Sequence, residues 1–165
     1  MNRVMVIGCP GSGKSTFSKK LAEITGLKLF HLDMIYHKAD RTHITREEFD
    51  ERLGEIIGME NRIIDGNYQR TLERRIAACD TVFLFDLPTE VCLAGALERV
   101  GKVRDDIPWT EETLDPGFES FIKSFREKQL PEIYGLLKKY SDRHTVIFKS
   151  REEADRYLND MRGRI

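Results

Sequence analysis

The chain has 165 residues, of which 40% are hydrophobic and 33% are charged, and its formal net charge at pH 7 is −1. This composition excludes a disordered chain and suits one α/β domain over residues 1–165. The near-neutral charge excludes the basic surface that non-specific nucleic-acid binding needs, so we expect no direct nucleic-acid partner. No apolar run of about 18 residues is present, and no basic segment leads into an apolar signal core. We therefore expect no membrane segment and a cytoplasmic location.

The first predicted elements surround a phosphate-binding pattern. Residues 8–15 read GCPGSGKS and match G-x-x-x-x-G-K-[ST]. The apolar run at residues 4–7 predicts a buried strand before this pattern, and Phe17, Leu21 and Ile24 follow it at the spacing of one helix face. Strand, loop and helix in this order are the context that the pattern requires.

The loop within this pattern carries the expected chemistry. Its glycines let backbone N–H groups turn inward around phosphate oxygens, at the positive end of a helix. Lys14 can reach the β- and γ-phosphates of a nucleoside triphosphate, and the Ser15 hydroxyl can ligate Mg²⁺. We therefore expect ATP and Mg²⁺ as cofactors, with the nucleotide bound by Gly8, Pro10, Gly11, Ser12, Gly13, Lys14, Ser15 and Thr16.

The middle of the chain alternates strands with helices. Strands are predicted at 27–32, 62–64 and 81–85. A helix is predicted to begin after Thr45, which forms a capping box with Glu48, and to carry an apolar stripe up to Ile57. Further helices are predicted at about 71–78 and from 88 to 100.

The last third of the chain begins with a segment of weak periodicity. Residues 101–116 are largely polar and predict a loop or mobile flap. A long helical pattern runs from 118 to 137, and Pro131 is expected to break or kink it. A strand at 145–148 and a helix from 151 to about 162 are predicted to follow.

Near-continuous apolar strands separated by helices predict a parallel sheet with helices on both faces. With the phosphate loop, they predict a three-layer P-loop NTPase fold whose five strands lie in the spatial order 2-3-1-4-5. Residues 34–61 would form an insert on the acceptor side. Ligands of such folds bind beyond the carboxyl ends of the strands, where Asp33, Asp65 and Asp86 are expected to lie.

These three aspartates are candidates for chemistry. Mg²⁺ is commonly held by one or two carboxylates together with phosphates. Asp65 is the predicted carboxylate ligand, and Asp86 is the alternative candidate for the same role. Asp33 would face the γ-phosphate, where it could orient or deprotonate an acceptor hydroxyl. Each aspartate could instead cap the loop after its strand. The four histidines show no metal-ligand spacing and are interpreted as structural or surface residues.

Arginines near the predicted flap are candidates for charge stabilisation. Arg99 and Arg104 could stabilise the negative charge of a transferred phosphoryl group when the flap closes. Arg70 or Arg126 could bind the phosphate of a monophosphate acceptor through two parallel hydrogen bonds. The predicted catalytic residues are accordingly Lys14, Asp33, Arg99 and Arg104.

This arrangement resembles that of P-loop nucleoside and nucleotide kinases of the adenylate-kinase-like group. Residues 65–70, DGNYQR, are similar to the D-G-F-P-R segment that contacts the acceptor nucleotide in adenylate kinases. Residues 99–104 resemble the start of the adenylate kinase lid. Residues 33–36, DMIY, resemble the D-x-F-Y segment of uridine kinases, where the aspartate is the proposed base.

The sequence is also similar, over roughly residues 2–160, to the bacterial DNA topology modulation proteins, which are described as related to adenylate kinases. The matching segments are the phosphate loop and residues 31–33, 64–68, 85–88 and 131–134. The tryptophans that commonly follow the second strand in that family are replaced here, and the Gly-Cys pair of its flap is missing. The predicted substrate-binding residues are Asp33, Tyr36, Asp65, Gly66, Asn67, Arg70 and Arg126.

The sequence therefore predicts an ATP- and Mg²⁺-dependent kinase that acts on a nucleotide, a nucleoside or a similar small metabolite. The alternative is a nucleotide-binding regulatory protein without small-molecule turnover, linked indirectly to DNA topology. A guanine-reading N-K-x-D motif is missing, which counts against a Ras-like switch. Intact Lys14 and Ser15 count against a degenerate nucleotide binder. The sequence leaves open the identity of the acceptor, the choice between ATP and GTP, and the oligomeric state.

Overall fold

A five-stranded parallel sheet forms the centre of the computed structural model, which describes residues 1–164. Ile165, the last residue of the predicted domain, lies outside the described residues. The strands lie in the order β2-β3-β1-β4-β5 and every neighbouring pair is parallel, so the predicted sheet and its strand order are confirmed. The strands are β1 (Arg3–Gly8), β2 (Lys28–His31), β3 (Arg62–Asp65), β4 (Thr81–Phe85) and β5 (His144–Phe148).

Helices connect the strands, and local signals account for where several of them start and stop. The helix after β1 ends at Gly26, which adopts the left-handed conformation that glycine favours. Thr45 and Glu48 form the predicted capping box at the start of another helix. The helices are α1 (Lys14–Thr25), α2 (Leu32–Tyr36), α3 (Arg46–Ile57), α4 (Leu72–Ala77), α5 (Thr89–Glu98), α6 (Pro116–Lys128), α7 (Leu130–Lys139) and α8 (Arg151–Arg162), with a 3-10 turn at Gln69–Thr71. None of these helices within residues 1–164 is long and apolar enough to cross a membrane.

Two apolar clusters hold these elements together. The larger one surrounds the central strands, where the Phe17 ring of α1 meets the rings of Phe83 and Phe85 edge to face at centroid distances of 4.9 and 5.3 Å. The smaller cluster packs α3 against β3 through Phe49 and Ile64, and it also contains Leu32 of α2. The smaller cluster therefore anchors the segment that carries Asp33.

The structure differs from the sequence-based elements after the second strand, and it confirms the expected break near Pro131. The second strand ends at His31, because the side chain of Leu32 is fully buried in the smaller cluster and begins α2 there. Asp33 consequently lies in the first turn of a short helix instead of at a strand end. The long helical pattern divides into α6 and α7 at Gln129, so that Pro131 falls in a first turn, where its missing N–H breaks no helical hydrogen bond.

Candidate active site

The loop between β1 and α1 is shaped by glycines and closed by a lysine. Gly13 precedes α1 with φ 103°, a left-handed conformation that side chains with a Cβ rarely adopt. The Nζ of Lys14 donates to the carbonyl of Cys9 at 3.0 Å, so the lysine folds across the loop. Burial lowers the pKa of Lys14, while the neighbouring Asp65 carboxylate opposes that shift. The buried amine of Lys14 is thus held against the loop, with the Cys9 carbonyl as its hydrogen-bond acceptor within residues 1–164.

Helices α8 and α5 both contact the loop between β1 and α1. The guanidinium of Arg151, the first residue of α8, donates to the carbonyls of Gly11 at 2.8 Å and Ser12 at 3.4 Å. Gly95 of α5 packs so closely that a Cβ there would overlap the carbonyl of Gly11 and the Arg151 guanidinium. The loop conformation therefore depends on a glycine far away in the sequence.

This close contact predicts that Gly95→Ala lowers the stability of the fold and weakens the ATP binding that the sequence predicts for this loop. Added bulk in a tightly packed contact costs about 1–3 kcal/mol, and here it displaces the loop carbonyls. Thermal unfolding and titration with ATP would measure the two effects. Gly135→Ala is the matched control, because Gly135 lies within α7 with open space around its Cα and alanine there gains about 1 kcal/mol of helix propensity. Equal melting temperatures for Gly95→Ala and the wild type would contradict the expected clash.

Asp65 ends β3 directly beside the loop. Its Oδ2 accepts a hydrogen bond from the Ser15 hydroxyl at 2.8 Å and lies 2.7 Å from Nδ1 of His31. Its Oδ1 is buried and has no hydrogen-bond partner within residues 1–164. A carboxylate oxygen without a partner next to a hydroxyl fits Mg²⁺, a hard cation that takes oxygen ligands. Ser15 and Asp65 are thus suited to hold this ion.

Asp86 has a different environment. Its buried carboxylate accepts hydrogen bonds from Arg126 and Tyr134, each at 2.6 Å, and also from Lys149. Asp86, Arg126 and Lys149 line a separate cavity of about 360 Å³. Both carboxylate oxygens of Asp86 are thus satisfied by protein donors, so of these two aspartates Asp65 is the one with an unpartnered oxygen within residues 1–164. The same contacts keep Arg126 at Asp86.

Asp33 lies at the bottom of an open cleft. Its Oδ1 accepts a hydrogen bond from the Tyr68 hydroxyl at 2.7 Å, and His37 Nε2 lies 4.0 Å from the same oxygen. Although 46% of the Asp33 side chain faces the cleft, protein atoms surround the rest. The resulting loss of hydration raises the pKa of Asp33, and the Tyr68 hydrogen bond opposes that rise. A carboxylate with a raised pKa is the better proton acceptor.

Two cavities meet at the loop. The first cavity, about 440 Å³, is lined by Gly13, Thr16 and Arg151 among others. The second cavity, about 620 Å³, is lined by Asp33, Asn67 and other residues on the far side of the loop. The residues that line both cavities are Lys14, Ser15, Arg99, Arg104 and Asp106. The boundary between the two adjoining cavities is thus lined by one lysine and two arginines.

The two arginines at this boundary differ in how they are engaged. Arg104 makes two hydrogen bonds to Asp106, at 2.8 and 2.7 Å, and a third contact with Glu111 at 3.3 Å. Arg99 has a buried Nε without a hydrogen-bond partner in the described part of the chain. Burial lowers the pKa of Arg99, and the adjacent Arg104 charge adds to this effect. Arg99 is therefore the arginine whose charge is less compensated.

Three predicted substrate-binding residues do not line the second cavity: Arg126, described above, and also Arg70 and Tyr36. Arg70 makes two hydrogen bonds to Asp50, at 2.6 and 3.0 Å, and the Tyr36 ring stacks on His43 with centroids 4.7 Å apart. Both residues line a third cavity of about 420 Å³. Carboxylate pairing and aromatic packing place them there. The predicted residues that do line the second cavity are Asp33, Asp65, Gly66 and Asn67.

Three further residues of the site are not singled out by the sequence analysis. His31, interpreted there as structural, contacts the Asp65 carboxylate. Tyr68 binds Asp33, and its position three residues after Asp65 in the DGNY segment is the signal that could have indicated it. Asp106 is buried against Arg104 within residues 101–115, which form a loop without helix or strand. The polar composition of that loop gives no such signal.

Comparison with known proteins gives structural matches. Neither protein-family models nor curated proteins match the chain. A shikimate kinase from Bacteroides thetaiotaomicron superimposes with TM-score 0.61 at 17% identity, covering 98% of this chain and 96% of that chain. A gluconokinase from Sinorhizobium meliloti 1021 gives TM-score 0.56 at 12% identity, with 99% and 92% covered. A shikimate kinase from Aquifex aeolicus vf5 gives TM-score 0.55 at 20% identity, with 96% and 93% covered.

Each superposition covers nearly the whole of this chain and nearly the whole of the other protein. At such low identity they concern the backbone fold and not the identity of any substrate. The strand order, the glycine-rich loop after β1 and these structural neighbours agree with one another. The chain has the P-loop kinase fold.

Proposed function

We propose that this protein is a kinase that transfers the γ-phosphoryl group of ATP to a hydroxyl group of a small acceptor. In this proposal ATP occupies the first cavity and the acceptor occupies the second. The main support is that the two cavities adjoin at Lys14, so that their ligands would meet beside a buried cation. Holding two reactants in contact removes much of the entropic cost of their reaction.

The residues on the ATP side would bind and stabilise phosphate charge. Lys14 and the loop N–H groups would contact the β- and γ-phosphates, and Arg99 would offset the charge that spreads over the transferred group. Ser15 and Asp65 would hold Mg²⁺, which supplies charge neutralisation to the phosphates when bound. Arg151 would act only through the loop carbonyls that it contacts.

The residues on the acceptor side would move one proton. The Asp33 carboxylate accepts the proton of the acceptor hydroxyl as the acceptor oxygen forms its bond to the γ-phosphorus. The bond between this phosphorus and the bridging oxygen breaks, and its electron pair leaves with ADP. Tyr68 would keep the Asp33 carboxylate oriented through its 2.7 Å hydrogen bond.

The resemblance to the adenylate-kinase-like group and to the DNA topology modulation proteins supports a finer assignment. We propose a single cytoplasmic kinase domain over residues 1–165, with residues 34–61 on the acceptor side and residues 101–116 as its lid. The proposed ligands are ATP, Mg²⁺ and a nucleoside, nucleotide or similar metabolite, without a nucleic-acid partner.

Phosphate transfer from radiolabelled ATP with Mg²⁺ tests this proposal. The acceptor panel would contain nucleosides, nucleoside monophosphates, shikimate, gluconate and uncharged polyols, because two structural neighbours are a shikimate kinase and a gluconokinase. Transfer to a defined acceptor that is lost in Lys14→Ala would support the kinase. Tight ATP binding without transfer to any acceptor would favour the regulatory alternative.

A further inference from the structure

The charge of the second cavity indicates which kind of acceptor it takes; this inference rests on the proposed function. We propose that the acceptor is a hydroxyl compound without a phosphate or carboxylate group, either uncharged or carrying a protonated amine. The resemblance to adenylate kinases predicts a monophosphate acceptor instead, so the two expectations can be separated by experiment.

The cations of the second cavity lie almost entirely at its boundary with the first. Lys14, Arg99 and Arg104 line both cavities, where the transferred phosphoryl group would pass. Among the described residues, Arg41 is the one lysine or arginine that lines the second cavity alone. Arg41 is exposed and reaches the carbonyl of Thr110 at 3.4 Å. One exposed cation is a poor match for a dianionic phosphate, which is typically held by bidentate arginines.

The arginines that could have supplied such a phosphate site are engaged elsewhere. Arg70 is bound to Asp50 outside the second cavity, and Arg126 is bound to Asp86 in a separate one. His37 lines the second cavity, but burial lowers the pKa of His37, so its ring is neutral at neutral pH. Within residues 1–164, Arg41 is therefore the one arginine or lysine that lines the second cavity away from its boundary with the first.

Among the charged residues that line the second cavity and not the first, carboxylates outnumber lysines and arginines by five to one. Glu111 is paired with Arg104, and Asp115 caps α6 through the Phe118 N–H. Asp33 faces the cavity from below, and exposed Glu112 lies at its rim without a hydrogen bond or ion pair within residues 1–164. The carboxylates that line this cavity and not the first are Asp33, Asp65, Glu111, Glu112 and Asp115. Such a wall repels an anionic acceptor and attracts an amine.

Aromatic rings complete this wall. Tyr68, Trp109, Phe118 and Phe121 line the second cavity, and the His37 ring meets the Trp109 ring edge to face at 4.9 Å. Aromatic faces attract a protonated amine electrostatically and also pack against the C–H groups of a sugar or polyol. Rings combined with carboxylates therefore favour the uncharged or amine-bearing class.

Trp109 allows the inference to be tested by binding, apart from turnover. It is the single tryptophan of the chain and lines the second cavity, so its fluorescence reports on that cavity. The protein would first be saturated with Mg²⁺ and a non-hydrolysable ATP analogue to fill the first cavity. Matched probes would then be titrated: glucose, glucosamine, gluconate and glucose 6-phosphate, then adenosine and AMP, then glycerol and glycerol 3-phosphate. The probes form three sets, based on glucose, adenosine and glycerol. In at least one set, we expect the uncharged or amine-bearing compound to bind at least tenfold more tightly than the compound that carries a phosphate or carboxylate.

Charge reversal at the rim provides a second test. Glu112→Lys should weaken binding of an amine-bearing probe by about three- to tenfold at low salt, and it should strengthen binding of the anionic probes. Glu60→Lys is the matched control, because Glu60 is also exposed but precedes β3 at the opposite end of the sheet. The control should leave every probe unchanged.

Several outcomes would overturn the inference. Tighter binding of AMP or another phosphate-bearing probe than of its parent compound would do so, and so would a Glu112→Lys variant indistinguishable from Glu60→Lys. No fluorescence response to any probe would overturn it as well, because the second cavity would then bind neither class. Phosphoryl transfer to a monophosphate would leave the proposed kinase intact and remove only this inference. Failure to bind the ATP analogue would instead remove the proposed function.

Discussion

Replacing Lys14 with methionine is expected to lower the rate constant of phosphoryl transfer by about 10²–10³-fold, the usual cost of removing one preorganised electrostatic group. Methionine keeps an unbranched apolar stem in the buried position and removes the ammonium that would face the β- and γ-phosphates. Steady-state transfer from ATP with saturating acceptor would measure the loss, and calorimetric titration would measure the accompanying loss of ATP affinity.

The Lys14→Met fold should persist, because the native amine is desolvated and, within the described residues, makes one hydrogen bond, to the carbonyl of Cys9. We expect a melting temperature within a few degrees of the wild type, by the usual scale of about 1 kcal/mol for one hydrogen bond. Lys28→Met is the matched control, since Lys28 is exposed at the start of β2, away from both cavities. Unchanged turnover in Lys14→Met, with normal turnover in Lys28→Met, would refute the assignment of the whole site.

Part of this site could be predicted from the sequence, because the ends of the strands can be predicted. An apolar run indicates a buried strand, and a parallel sheet brings the carboxyl ends of its strands to one edge. Lys14, Ser15 and Asp65 could therefore be expected together, and the structure places Ser15 and Asp65 in hydrogen-bond contact. The glycine pattern also predicts the shape of the loop, because that shape depends on the backbone conformation of a few neighbouring residues.

The positions of long cationic side chains were harder to predict from the sequence. Arg126 and Arg70 could reach several places from their helix or turn, and their positions are decided by carboxylates 40 and 20 residues away, Asp86 and Asp50. Periodicity also could not show that Leu32 belongs to the smaller apolar cluster, which moves Asp33 from a strand end into α2. These are tertiary effects, which override local patterns.

Replacing Asp33 with asparagine is expected to lower the rate constant of transfer by about 10²–10⁴-fold, the usual range for loss of a general base. The pH profile gives the sharper test. Asp33 accepts a proton only when ionised, so kcat/KM should rise with pH through the pKa of Asp33. Burial raises that pKa above the ordinary 3.8 of an aspartate, so the rise should occur at a higher pH than for an exposed carboxylate. The asparagine variant should lack this acidic limb.

Tyr68→Phe separates general-base catalysis from a merely structural role of Asp33. The Tyr68 hydrogen bond stabilises the ionised carboxylate and lowers the pKa of Asp33, so its loss should move the acidic limb to still higher pH. Turnover well above that pH should be largely retained, because Asp33 itself remains. Asp142→Asn, a change at an exposed carboxylate paired with Arg143, should leave the profile unmoved. An acidic limb at the same pH in Tyr68→Phe, or one that persists in Asp33→Asn, would mean that another group accepts the proton.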